Sequence, residues 1–173
     1  ACIFEVFIVA LVTRKSIPKG QRIRVLVVDD SVVIRRLVSH ALEAHPIIEV
    51  VGVASNGITA LDRIRQLKPD VVTLDIEMPE MDGLEALREI RRGFPEVRVV
   101  MFSTLTERGA AVTFEALALG ADDYVTKASN EGSLDQSMER LRKELIPKLK
   151  QFFLLASDLE PAVRPPQRPA LST

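Results

Sequence analysis

The chain has 173 residues, of which 47% are hydrophobic and 27% charged, with a net charge of −1 and a pI near 6.2. This is the size and composition of one soluble globular domain with flanking segments, and the charge balance gives no broad attraction to nucleic acid or to a membrane surface. Cys2 is the only cysteine, which excludes an intrachain disulfide and fits a reducing, cytoplasmic compartment.

Residues 1–12 are apolar except for Glu5. The run is too short to cross a bilayer as a helix. Its basic residues, Arg14 and Lys15, follow the apolar part, whereas a secretory signal places them before it. We expect an extension over residues 1–21, ahead of a domain that begins near Arg22; an added edge strand or a membrane-surface anchor are the other readings.

Residues 23–28 (IRVLVV) are apolar and β-branched with one polar break, and residues 50–53, 71–74 and 97–102 repeat the pattern. Strands covered on both faces look like this. Helical spacing lies between them. Residues 32–45 present Val33, Leu37, Val38, Ala41 and Leu42, and Pro46 ends the pattern. Asn56 suits an N-cap for a helix presenting Ala60, Leu61, Ile64 and Leu67. Residues 83–92 present Leu84, Leu87 and Ile90 before Gly93, and residues 107–119 present Ala111, Phe114, Leu117 and Ala118 before Gly120. A last helix begins near residues 129–133 and carries Leu134, Met138, Leu141, Leu145 and Leu149, with a kink or break expected at Pro147. The pairs Arg35-Arg36 and Arg91-Arg92 fall in helical patterns and read as solvated faces.

Strand and helix thus alternate five times over residues 22–150, which predicts an α/β domain with a five-stranded parallel sheet and helices on both faces. Pro161, Pro165, Pro166 and Pro169 mark residues 151–173 as a Pro-rich tail, either a frayed terminus or an interdomain linker.

The polar residues that close the strands carry the chemistry. Asp29 and Asp30 follow the first strand, Asp75 the third, Ser103 the fourth and Lys127 the fifth. In a parallel sheet these ends open on one edge, where open α/β proteins bind ligands. Converging carboxylates repel unless a cation compensates them, and Mg²⁺ is satisfied by one or two carboxylates, backbone oxygens and phosphate oxygens. Asp75 suits a nucleophile that forms an acyl phosphate, Lys127 a compact cation for a phosphoryl oxygen, and Ser103 a small donor. Each residue also has a plainer role: Asp30 or Ser31 as a helix cap, Ser103 in a turn, Lys127 on the surface. Their joint occurrence, in order and only at strand ends, favours the site.

Val27-Val28-Asp29-Asp30-Ser31, Asp75-Ile76-Glu77-Met78-Pro79, Met81-Asp82-Gly83 and Tyr124-Val125-Thr126-Lys127 together resemble the receiver domain of bacterial two-component response regulators. The resemblance implies a flavodoxin-like doubly wound sheet of strand order 2-1-3-4-5 with five helices. It implies Asp75 as the phospho-acceptor, and Asp30, Asp29 and the backbone carbonyl of Glu77 as the remaining protein ligands to Mg²⁺. Ser103 and Tyr124 take the switch positions, and Lys127 the site lysine. The family follows this lysine with proline in a cis bond, but here Ala128 follows. A cis bond costs about 3–4 kcal/mol before other residues against about 0.5–1 before proline. The Lys127–Ala128 bond is therefore either trans, or cis and strained.

Residues 77–87 (EMPEMDGLEAL) and Ser103-Thr104-Leu105-Thr106 are similar to the receiver of chemotaxis protein-glutamate methylesterases. That resemblance implies a sensor histidine kinase of the chemotaxis type as partner and a C-terminal esterase output domain that this chain lacks. No Gly-x-Ser-x-Gly elbow occurs, and His40 and His45 read as surface helix residues. The chain alone is therefore expected to show no methylesterase activity, only Mg²⁺-dependent self-phosphorylation and slow self-dephosphorylation. A stand-alone receiver that docks a partner protein, the receiver of a DNA-binding regulator and a small phosphatase are the alternatives. No recognition helix or basic stripe follows the receiver pattern, so no nucleic acid is expected to bind.

Overall fold

Each apolar run becomes a strand, because β-branched side chains fit a pleated surface covered on both faces. The computed structural model describes residues 14–104, 107–127 and 133–156. A short strand β1 (Lys15–Ile17) comes first, followed by β2 (Ile23–Val28) and helix α1 (Val32–Glu43). Then come β3 (Ile48–Ala54), α2 (Gly57–Leu67), β4 (Val71–Asp75) and α3 (Gly83–Gly93). The chain continues through β5 (Arg98–Ser103), α4 (Glu107–Ala118), β6 (Asp123–Thr126), α5 (Leu134–Lys150) and β7 (Phe153–Leu155).

Five strands form one parallel sheet in the order β3-β2-β4-β5-β6, which is 2-1-3-4-5 counted within the sheet. Alternate side chains of β2 face opposite layers. Val25 and Val27 pack with Val38, Ala41 and Leu42 of α1 and with Leu141, Leu145 and Leu149 of α5. Leu26 and Val28 pack with Ala60 and Ile64 of α2, Ala86, Leu87 and Ile90 of α3, and Ala116 of α4. The predicted doubly wound fold and its five helices are therefore present.

The local signals act as the sequence suggests. The side chain of Asn56 caps α2 by accepting from the N–H of Thr59 at 2.8 Å. Asp82 and Glu85 form a reciprocal capping box on α3. Ser31, rather than Asp30, caps α1 by accepting from the N–H of Ile34.

Three expectations need correction. The helix α5 does not break at Pro147 but continues to Lys150. Proline removes one backbone bond there, one turn from the end, while buried Leu141, Leu145 and Leu149 hold the segment against the sheet. Arg35 and Arg91 are not solvated faces. Arg91 donates to the carbonyls of Gly120 and Val97 at 2.8 Å each and pairs with Asp122 at 3.1 Å, tying α3 to the loops around β5. The third concerns the chain ends. β1 pairs in parallel with β7, joining Lys15–Ile17 to Phe153–Leu155, and Ile17, Phe153 and Leu155 are buried in the same layer as α1 and α5. Lys15 Nζ also pairs with the carboxylate of buried Asp70 at 2.6 Å. Residues 1–13 and 157–173, and with them the whole apolar run and most of the Pro-rich tail, lie outside the described residues.

Candidate metal and phosphoryl site

The strand register builds the site. Val28 lies level with Leu74, Asp75 with Phe102, and Ser103 with Thr126. The residues that follow or end these strands therefore emerge in one row. A backbone bond from the N–H of Lys127 to the carbonyl of Ser103, 2.7 Å long, keeps Lys127 in that row just beyond β6.

Ligand oxygens of Asp29, Asp30 and Asp75 lie within 4.8 Å of one another. Asp29 and Asp75 are each 2% exposed, whereas Asp30 faces solvent. Lys127 Nζ bridges the two buried carboxylates, at 3.0 Å from Asp29 Oδ2 and 2.8 Å from Asp75 Oδ1. The second oxygen of Asp29 accepts from the N–H of Ser31 at 2.9 Å. Asp75 Oδ1 also accepts from the N–H of Glu77 at 3.3 Å. Asp75 Oδ2, by contrast, is buried without a hydrogen-bond partner among the described residues. A buried charged oxygen left unpaired is costly, so it marks a place built for a ligand or a bond.

Burial pushes the Asp75 carboxyl up to about 6 from its ordinary 3.8. The Asp29 charge adds to the rise, and the hydrogen bond from Lys127 opposes it without cancelling it. Burial also acts against the Lys127 ammonium, but its bonds to Asp75 and Asp29 prevail and hold it above the usual lysine range. One ammonium thus serves two carboxylates, with a third nearby. That donor set, three carboxylates against one ammonium, is two positive charges short of neutrality and rich in oxygen, which fits a hard divalent cation.

Three further residues shape the site in ways the sequence alone did not reveal. Arg35 turns back from α1 and donates Nη1 to the carbonyls of Asp29 and Asp30 at 2.7 and 3.1 Å, fixing the acidic turn. Gly83 brings the first turn of α3 against β4: a Cβ there would lie 2.2 Å from the Asp75 carbonyl and 2.7 Å from Ile76 Cα. Thr113 of α4 donates to the Ser103 hydroxyl or to the Gly109 carbonyl, both 2.7 Å away.

Ser103 is buried in the wall of a small cavity that it shares with Asp75, Glu77 and Arg108. Tyr124 stands outside, 41% exposed, with Lys148 Nζ 4.9 Å from its ring centre. The Lys127–Ala128 bond lies outside the described residues.

A family model for the response regulator receiver domain matches residues 25–139. The chain belongs to the response regulator receiver family. Its relatives include protein-glutamate methylesterases. Over 130 residues it is 62% identical to a protein-glutamate methylesterase/protein-glutamine glutaminase of Nocardioides sp., covering 75% of this chain and 36% of that protein. The corresponding protein of Thermotoga maritima is 46% identical over 129 residues, covering 75% of this chain and 37% of that one. The chain therefore spans little more than a third of these relatives.

Among solved structures, the response regulator domain of Thermotoga maritima CheB is similar at a TM-score of 0.68 and 45% identity, covering 76% of this chain and 96% of that one. The CheX-CheY-BeF3-Mg complex from Borrelia burgdorferi is similar at a TM-score of 0.59 and 28% identity, covering 72% and 90%. The receiver fold and its place among CheB-type receivers of two-component signalling are thereby shown. In this receiver, no helix among the described residues is long and apolar enough to cross a membrane.

Proposed function

We propose that this receiver accepts a phosphoryl group on Asp75 from a histidine kinase of the chemotaxis type and so controls a methylesterase output domain. The observation that carries this reading is the buried, unpartnered Oδ2 of Asp75, set between a bridging ammonium and two further carboxylates. Above pH 6 Asp75 is ionised yet more basic than an ordinary carboxylate, which suits a nucleophile.

The carboxylate oxygen forms a bond to phosphorus as the P–N bond of a phosphohistidine donor breaks. The imidazole nitrogen leaves with that electron pair and takes a proton from water. Lys127 faces the same oxygens and neutralises part of the charge on the arriving phosphoryl group. Arg35 holds the acidic turn, and burial keeps water from the acyl phosphate once formed. Asp29, Asp30, Asp75 and the Glu77 backbone carbonyl would hold Mg²⁺, which when bound would withdraw charge from the phosphoryl oxygens.

Ser103 and Tyr124 are the residues that answer the modification, Ser103 by turning to a phosphoryl oxygen and Tyr124 by turning inward. Phosphorylation acts by favouring one of two conformations. The surface that changes runs over α4, β6 and α5, where Phe114 is 73% exposed. This reading places the protein in the cytoplasm beside its kinase.

The acceptor is tested by incubating the chain with MgCl₂ and phosphoramidate and weighing it intact. The wild type should gain the mass of one phosphate and lose the gain in EDTA. Asp75→Asn should gain none, and Asp30→Asn should need more Mg²⁺. Equal labelling of Asp75→Asn would overturn the assignment.

A further inference from the structure

Ser103 is the residue expected to reach a phosphoryl group, yet among the described residues its hydroxyl bonds to neither Asp75 nor Lys127. Its hydroxyl lies 3.1 Å from the Gly109 carbonyl and 3.3 Å from that of Thr104, and it receives Thr113 Oγ1 at 2.7 Å. Thr113 Oγ1 is equally close, 2.7 Å, to the Gly109 carbonyl. Both hydroxyls are buried, with Ser103 4% and Thr113 5% exposed.

Two hydroxyls own two protons. They can be arranged as Thr113 to Ser103 to Gly109, or as Ser103 to Thr113 to Gly109. Both hydroxyls donating to Gly109 would leave the 2.7 Å contact between the two oxygens without a proton, so the two favoured orders are those in which the oxygens are bonded to each other. Thr113 does not need this bond for its own sake. A helical threonine satisfies its hydroxyl on the carbonyl four residues back, here Gly109. For Ser103 the threonine bond is the shortest its hydroxyl makes, beside longer contacts to the Gly109 and Thr104 carbonyls, and it adds to the hold on the resting position. When Ser103 leaves, Thr113 retains Gly109, so no buried hydroxyl is stranded and the move costs about one net hydrogen bond.

We propose that Thr113 is a positioning residue that holds Ser103 in the resting arrangement and so sets how readily the site accepts a phosphoryl group. The inference rests on the phospho-acceptor reading above and adds to it a residue outside the strand-end row. Removing the hydroxyl weakens the resting arrangement alone, so occupancy of the phosphorylated arrangement rises. One net hydrogen bond corresponds to a change of about threefold to tenfold.

The test is a titration of the full chain with beryllofluoride in excess Mg²⁺, read by ¹⁹F and amide NMR. Thr113→Val and Thr113→Ala should each bind beryllofluoride about threefold to tenfold more tightly than the wild type. Thr113→Ser, which restores the hydroxyl, should return to the wild-type value. In a Ser103→Ala background the gain should vanish. Unchanged or weaker binding in folded Thr113→Val and Thr113→Ala would overturn the proposal, as would a gain that persists without Ser103. Should the wild type fail to bind, or Asp75→Asn bind as well, the phospho-acceptor reading itself falls. A wild type that binds beside Thr113 variants that bind equally defeats the present inference alone.

Discussion

Asp75 concentrates three demands in one side chain: burial, a shared ammonium and an oxygen without a partner. Its proton affinity follows from them. In the unfolded chain the carboxyl returns to its ordinary 3.8, whereas folded it stands at about 6. The folded state thus binds the proton more tightly, and the resulting stability is present at low pH and lost as pH rises through about 6. An amide removes that burden. In Mg²⁺-free buffer at pH 8, Asp75→Asn should be more stable than the wild type by about 1–2 kcal/mol, a figure reduced for residual solvent screening. The gain should shrink as pH falls below about 6 and vanish near 4, where both side chains are neutral. Urea unfolding across pH measures it; a gain that is constant with pH would show that ionisation of Asp75 is not its source.

Among the elements, α3 is the one whose position bears most directly on the site. Its first residue, Gly83, donates to the carbonyl of Ile76 at 2.8 Å and leaves no space for a side chain beside the Asp75 backbone. Gly83→Ala should cost about 1–3 kcal/mol in urea unfolding, because backbone rather than a flexible side chain must yield. It should also slow phosphoramidate labelling by displacing Asp75, whereas a change that left both untouched would mean that α3 tolerates a shift. The strands and the five strand-end positions, Asp29, Asp30, Asp75, Ser103 and Lys127, were legible in sequence, since apolar runs closed by Asp, Ser and Lys carry their own boundaries. Tyr124 was legible only through the family motif. Gly83 could be read as part of a motif but not as a close approach, since what a Cβ would meet belongs to β4. Thr113 was hidden for the same reason: one hydroxyl in a helical pattern says nothing of the strand end it touches. Pro147 misled because propensity speaks for an isolated helix, and three buried leucines outweigh it.

At the scale of the molecule, β1 and β7 bring the two ends of the described chain together on the layer formed by α1 and α5. Three-residue strands give no periodicity, which is why composition assigned them to an extension and a tail. The burial of Ile17 and the pairing with β7 make residues 15–17 structural. Ile17→Ala should cost about 2 kcal/mol and remove hydrogen-exchange protection from Phe153–Leu155. Unchanged protection there would show that the pair does not depend on Ile17. Over the whole chain there are 24 Asp and Glu residues, and the account allows one of them to carry a phosphoryl group. Borohydride reduces an acyl phosphate to the corresponding alcohol, which peptide mapping can place. After treatment with phosphoramidate and Mg²⁺, the alcohol should be found at position 75 and nowhere else; an alcohol at Asp29, at Asp30 or at any other carboxylate in its place would contradict the account.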